Sequence, residues 1–368
     1  MKTLFDETIL KNLKLKNRFF KAAVWENMAT IDGHLTDKLY AVYDKAAKGG
    51  VGLILTGYAY VMKEEHPNPN MMGIYHDDFI PEHRKLTQMV HEYDTAIIMQ
   101  LVYGGSMTLR NPPSPKIWGP STVKNEMSGI TPYEMAKEDI EILVDAFAKA
   151  AGRAKKAGFD GVELHGAHGY LLSQFLCPHY NKRKDEYGGS IENRVRIIAK
   201  IVEAIRRETG EEFLILIKIN SEDFMSDGLT SEESITAVKI LQGKGLCAVE
   251  VSGGILSDPD VMKNNLSSLR PVHNKEQESF FRAHAAKLAD AVSIPVILTG
   301  GNRHIDVMED ILNKTNISYF ALARPLICEP DLVKAWESGD RKSPKCISCN
   351  RCFDPDGVSC ALNRRISG

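Results

Sequence analysis

A (β/α)₈ barrel, an α/β fold, is predicted by three features of the sequence. Eight short apolar runs recur along it, an amphipathic helix-like segment follows each, and polar residues suited to chemistry gather where the runs stop. Near-continuous apolar runs mark parallel strands that crossover helices bury on both faces. In order they are FFKAAV (Phe19 to Val24), VGLILTG (Val51 to Gly57), AIIMQL (Ala96 to Leu101), GVEL (Gly161 to Leu164), FLILIKI (Phe213 to Ile219), CAVEVSG (Cys247 to Gly253), IPVILTG (Ile294 to Gly300) and YFALA (Tyr319 to Ala323). Between them, Ile140, Leu143, Val144, Phe147 and Ala151 share one helical face before Gly158. Ser190 is a candidate N-cap for a helix with Ile191, Val195, Ile198, Val202 and Ile205 on one face, and His284, Leu288 and Val292 precede the seventh run. The competing arrangement is a doubly wound open sheet, whose dinucleotide-binding version lacks its GxGxxG after the first run here.

The 368 residues, 43% of them hydrophobic, suffice for one large domain plus an appendage. The expected division is a barrel over residues 1–336 and an extension over 337–368. Lys and Arg total 46 against 48 Asp and Glu, so a net charge of -2 offers nothing to nucleic acid or an anionic membrane, which leaves a small-molecule site. No run approaches the ~20 apolar residues of a membrane span, and the amino terminus lacks the long apolar segment of a signal peptide. Seven cysteines, an odd number without an export signal, are expected to be reduced. A cytoplasmic enzyme, as monomer or homo-oligomer, is the expectation.

Two regions break the rhythm. Tyr103 to Tyr133 is rich in Gly, Pro and Ser, and Ser252 to Glu278 is long and polar; both follow strands, on the face where barrel enzymes place their sites. The fourth run ends in His165, His168 and Tyr170. Paired imidazoles can polarise a carbonyl oxygen or hold an anion while a phenol delivers a proton. The same imidazoles suit ordinary hydrogen bonding, or metal ligation with His179, past Pro178, as the nearest third ligand. Gln100 at the end of run three either caps the sheet or offers donor and acceptor to a heterocycle edge such as a flavin pyrimidine. Lys218, set between isoleucines, is costly to bury without a partner and would stabilise an anionic reduced ring. Gly300 and Gly301 after run seven, with Ala323 and Arg324 after run eight, are either tight turns or the phosphate site that barrels place there.

The stretch HGAHGYLLSQFLCPHYNKRKDEYGGSIENR closely resembles the signature of the old yellow enzyme family of flavin-dependent ene-reductases, in particular the branch of 2,4-dienoyl-CoA reductase and the NADH:flavin oxidoreductases. The likeness extends from LKLKNRFFKAAV through QLVYGG, SGG and LTGG to ARPLICEPDL. It implies an FMN-binding barrel that takes hydride from NAD(P)H and passes it to an activated alkene, enone-like or dienoyl, in a ping-pong cycle. By that resemblance His165 and His168 bind the substrate's oxygen and Tyr170 donates the proton. Ala23, Val24, Gly57, Gln100, His165 and Lys218 bind the flavin, and Gly300, Gly301, Ala323 and Arg324 its phosphate. Trp25 stands where many members carry Cys or Thr beside the flavin, and with Tyr170 is expected to shape the substrate pocket. Lys218 replaces a frequent Arg and Tyr103 a frequent His.

The extension carries Cys346, Cys349, Cys352 and Cys360, spaced C-x₂-C-x₂-C-x₇-C. Four thiolates this close favour a [4Fe–4S] cluster or Zn, or are reduced remnants of a lost electron path; longer relatives hold such a cluster beside FAD and NAD(P)H domains, and this chain is expected to be a short form without them. Cys177, Cys247 and Cys328 have no partner by spacing and are expected as buried small hydrophobes. Besides the ene-reductase reading, two others stand: an FMN dehydrogenase or demethylase passing electrons through the tail cluster to a partner, and a flavin-free metal-dependent hydrolase or lyase barrel.

Overall fold

In the computed structural model, which describes residues 1–108 and 116–364, the eight runs form a closed parallel barrel. The strands are β1 (Phe19–Lys21), β2 (Leu53–Leu55), β3 (Ala96–Val102), β4 (Gly161–Gly166), β5 (Leu214–Asn220), β6 (Ala248–Ser252), β7 (Val296–Leu298) and β8 (Tyr319–Leu322). Each pairs in parallel with the next, and Phe320 of β8 pairs back to Phe19 of β1, so no edge is left open. The ladders of β1, β2 and β7 stop two or three residues short of the apolar runs. One further bond to the neighbour follows in each case, Ala22 N–H to Leu322 O at 2.9 Å, Thr56 N–H to Ile98 O at 3.0 Å and Thr299 N–H to Val251 O at 3.3 Å.

Seven main helices follow the first seven strands: α1 (Asp37–Lys48), α2 (Ile80–His91), α3 (Lys137–Lys156), α4 (Arg196–Thr209), α5 (Ser231–Gln242), α6 (Arg282–Ala291) and α7 (Ile305–Lys314); α8 (Leu332–Glu337) follows β8. The predicted α3 face is buried at all five positions. Ile191, Val195, Ile198, Val202 and Ile205 are buried too, but Val195 interrupts the helix, and Ser190 precedes only the short Ile191–Arg194 turn without a side-chain cap. In α6 the buried positions are Ala285, Leu288 and Ala289, with Phe281 just before the helix; His284 instead reaches Glu222 at 3.4 Å, because its imidazole finds a carboxylate at the surface.

Side chains alternate between the barrel interior and the helix layer. Ile97, Ile215 and Val249 face the helices, whereas Ile98, Leu216 and Ala248 face the interior. A hairpin of Thr8–Leu10 and Leu13–Leu15 plugs the bottom with Leu10 and Leu15. Moving up each strand in steps of two, the interior changes character: Leu214, Leu216, then Lys218; Ala96, Ile98, then Gln100; Gly161, Glu163, then His165; Ala248, Glu250, then Ser252. The apolar lower layers hold the barrel closed and the polar upper layer faces the mouth.

Candidate active site

The mouth holds a cavity of about 360 Å³, in the range of small-molecule sites. The strand ends bring the predicted residues into its wall: Ala23, Val24 and Trp25 from β1, Gln100 from β3, His165, His168 and Tyr170 from β4, Lys218 from β5, Gly300 and Gly301 from β7, and Ala323 and Arg324 from β8. Gly57 does not line it. Its N–H points away, to the Tyr43 hydroxyl at 2.9 Å and Glu26 Oε1 at 3.2 Å.

The turn after β4 is built around His168 and Gly169, both at positive φ, 63° and 89°. A histidine held there is uncommon, and the bend swings Tyr170 back over the barrel axis to begin the Leu171–Leu176 helix. The His168 N–H is fixed by Asn220 Oδ1 at 3.1 Å and its Nε2 lies 2.7 Å from Ser252 Oγ. The rings of His165 and Tyr170 pack with centroids 4.6 Å apart, and His165 Nδ1 is buried without a partner among the described residues. Burial, with Lys218 nearby, pushes the His168 imidazole down to about 3, and burial, His168 and Lys218 hold His165 well below its usual value. Both rings are therefore neutral at working pH, each carrying a single N–H to offer. Burial raises the Tyr170 phenol, so it stays protonated; it donates to the Tyr58 hydroxyl at 3.3 Å, which in turn accepts from Asn68 at 2.7 Å.

At the other end, Gly300 and Gly301 both take positive φ, 93° and 79°, and a Cβ on Gly300 would meet Phe281 at 2.6 Å, so only glycine fits. Arg324 is steadied by Asn350 Oδ1 at 2.5 Å and the Arg270 carbonyl at 2.9 Å. The two glycines and this guanidinium line the same cavity.

The extension folds over the mouth. Phe353 stacks on Trp25 at 5.9 Å, Trp25 Nε1 donates to the Pro69 carbonyl at 3.0 Å, the Val358 N–H donates to Glu26 O at 2.7 Å, and Asn27 holds the carbonyls of Asp354 and Pro355. Cys346 and Cys352 line the cavity, whereas Cys349 is exposed. Cys328, expected as a lone hydrophobe, instead packs with Cys346 and Cys360; it ends the short helix Arg324–Cys328 between β8 and α8, where sequence spacing cannot register it. Sequence reasoning also passed over Tyr58, Ser252, Glu163 and Glu250. Of the two loops expected at the mouth, Tyr103 to Tyr133 contributes Met107 and Met127, with its middle, 109–115, outside the described residues. The stretch after Ser252 contributes Leu256 and Met262.

Glu65 anchors the loop after β3, accepting from the Gly104 N–H at 2.9 Å and the Thr108 hydroxyl. At 2% exposure, burial pushes its carboxyl from 4.5 up to about 7. A raised folded-state value means the folded chain holds the proton more tightly. The stabilisation is full below about pH 4.5 and is lost as pH rises through about 7. Urea unfolding from about pH 5 to about pH 8 should show wild type losing about 3 kcal/mol relative to Glu65→Gln; parallel curves would refute the assignment.

A family model described as NADH:flavin oxidoreductase / NADH oxidase family matches residues 3–342. The chain is 33% identical over 374 residues to the NADH oxidase of Thermoanaerobacter brockii, covering 98% of this chain and 56% of that protein. It is 31% identical over 390 residues to the cinnamate reductase of Clostridium sporogenes, covering 98% and 57%. The chain thus spans about half the length of these relatives. The structure of an old yellow enzyme homologue from Zymomonas mobilis superposes with a TM-score of 0.76 at 22% identity, covering 96% of this chain and 100% of the other, a likeness of fold. Among the described residues no helix is long and apolar enough to cross a membrane.

Proposed function

Because the chain belongs to the NADH:flavin oxidoreductase / NADH oxidase family, that of the old yellow enzymes, we propose that it is an FMN-dependent reductase carrying hydride from NADH or NADPH to an activated C=C bond. The observation that carries this reading is the set of groups that one cavity brings together. Gly300, Gly301 and Arg324, suited to an anion, line the same cavity as the amide of Gln100, the cation of Lys218, and a phenol with two neutral imidazoles. The unpartnered His165 Nδ1 and the two positive-φ glycines in the cavity wall fit a phosphate-bearing heterocycle with a small molecule against it.

Bound FMN would supply the hydride carrier. Ala23 and Val24 would support its ring from β1, Gln100 and Lys218 its pyrimidine side, and Gly300, Gly301, Ala323 and Arg324 its phosphate. The neutral His165 and His168 would donate to the substrate's carbonyl oxygen, drawing electron density from the alkene, and Tyr170 would protonate the carbon beside it. Trp25, Met107, Met127 and Leu256 give that side an apolar wall, which suits an aryl or alkyl enone or acrylate. Residues 1–336 would form the flavin barrel and 337–368 the extension that completes its wall. The expected result is a yellow protein, anaerobically bleached by NADH or NADPH and recoloured by an enone. Colourless protein that takes up no FMN would sink the proposal.

The tail thiols bear on a second cofactor. Cys346 and Cys360 pack together with Cys328, and burial together with the nearby Cys346, Cys360 and Cys349 raises the Cys352 thiol, yet among the described residues no three His, Cys, Asp or Glu side chains are placed to hold a metal. In this conformation they do not fit an iron–sulfur cluster or zinc, and no electron step is routed through them. Iron, sulfide and zinc analysis of anaerobically purified protein tests this, a stoichiometric metal content being the contrary outcome.

A further inference from the structure

Beneath the cavity floor the barrel interior buries more charge than a packed core needs. Glu163 on β4 and Glu250 on β6 are both 0% exposed, with Lys218 of β5 between them and Gln100 of β3 alongside. Strand register sets Gln100 opposite Glu163, and Lys218 opposite both Glu250 and His165. Gln100 Nε2 donates to Glu163 Oε2 at 2.5 Å, Lys218 Nζ lies 3.2 Å from Glu250 Oε2, and the two carboxyls are within hydrogen-bonding reach of each other. Glu163 Oε1 and both Glu250 oxygens make no hydrogen bond to an N–H or O–H donor among the described residues, Lys218 standing near Glu250 Oε2 as an ion pair only.

Two adjoining carboxylates facing one ammonium in a dry interior cannot both stay ionised: each loses its hydration, they repel, and their facing oxygens have nothing to accept. One proton between them removes the repulsion and supplies the missing donor. Lys218 favours the charge on Glu250, and burial with the Glu250 charge holds the Glu163 carboxyl well above the usual carboxylate range. The neutral acid then has Oε1, which no other group engages, to donate to Glu250, while Oε2 accepts from Gln100.

We propose that Glu163 and Glu250 share a single proton, and that as positioning residues they fix the Gln100 amide and leave Lys218 with one counter-charge beneath the flavin pyrimidine. This rests on the flavin reading above. It adds that the buried charge under the ring sums to zero, one ammonium against one carboxylate.

Infrared spectra of the apoprotein and of the FMN-loaded protein test it. At about pH 9, where Glu65 is ionised, wild type should keep a carboxylic-acid C=O band. Glu163→Gln and Glu250→Gln should each lose the band, since the remaining carboxyl ionises against Lys218. Each should leave the midpoint potential of bound FMN where wild type has it, because one carboxylate still faces the cation. No band in wild type, a band surviving in either variant, or a rise in potential in each variant, as removal of one of two negative charges would give, overturns the proposal. Should a variant not fold, isotope-labelled glutamate in a Glu65→Gln background decides it on the band alone. Failure to bind FMN would count against the flavin reading, while the apoprotein spectrum still decides the shared proton.

Discussion

Replacing Tyr170 by Phe should slow alkene reduction by about 10²- to 10⁴-fold, the range for losing a positioned general acid, while leaving reduction of bound FMN by NADH or NADPH largely intact. The phenol is 6% exposed, packed on His165 and tied to Tyr58 through its hydroxyl, so Phe keeps the packing and removes only the proton source. Tyr58 lies within reach but is held by Asn68, and its own phenol is raised well above its usual value chiefly by burial, so it is a poor substitute. Stopped-flow measurement of the two half-reactions separates the effects. An equal loss in both would remove Tyr170 from the proton-donor role and make it a general support of the pocket.

Replacing Glu26 by Ala should destabilise the protein by about 3–5 kcal/mol, because it leaves Lys21 as an unpaired charge in the interior. Glu26 Oε1 lies 3.5 Å from Lys21 Nζ and accepts from the Tyr43 hydroxyl at 2.8 Å and the Gly57 N–H at 3.2 Å. Both charged residues are under a tenth exposed, and burial lowers the Lys21 ammonium more than Glu26 raises it. Against a usual total of about 5–15 kcal/mol the loss would be severe. Glu26→Gln, which keeps the acceptor for Tyr43 and Gly57, should lose less. Urea unfolding reads both, and a loss below about 1 kcal/mol in the Ala variant would show that Lys21 finds another counter-charge or discards its proton.

The barrel was legible because crossover burial leaves a strong mark: a strand covered on both faces has no place for the alternation that hides half of a one-sided strand. Strand ends were less legible, since Ala22 and Thr56 each keep one bond to the neighbouring strand after the ladder stops, and an apolar run does not mark where pairing ends. The break at Val195 was invisible for a similar reason, because its apolar face runs on unbroken. Within the site, Gln100 and Lys218 stood out as polar residues in apolar runs. Glu163 in GVEL and Glu250 in CAVEVSG carry the same signal and were overlooked, although a buried lysine calls for a carboxylate nearby. Tyr58, Ser252 and Phe353 gave no signal, because their places depend on loops meeting across the mouth. Cys328 shows the limit of spacing arguments, as its thiol neighbours come from a segment that folds back onto its helix.

That fold-back joins distant parts of the chain: the stack of Phe353 on Trp25 and the bond from the Val358 N–H to Glu26 O tie the first strand's loop to the end of the described chain. A contact between residues this far apart in sequence closes a long loop, so docking of the tail must offset the chain entropy that closure costs. A ligand touching both walls therefore binds the finished fold in preference to forms with the tail undocked. By mass action it shields the tail from proteases, so resistance of residues 337–364 to cleavage becomes a titratable measure of occupancy.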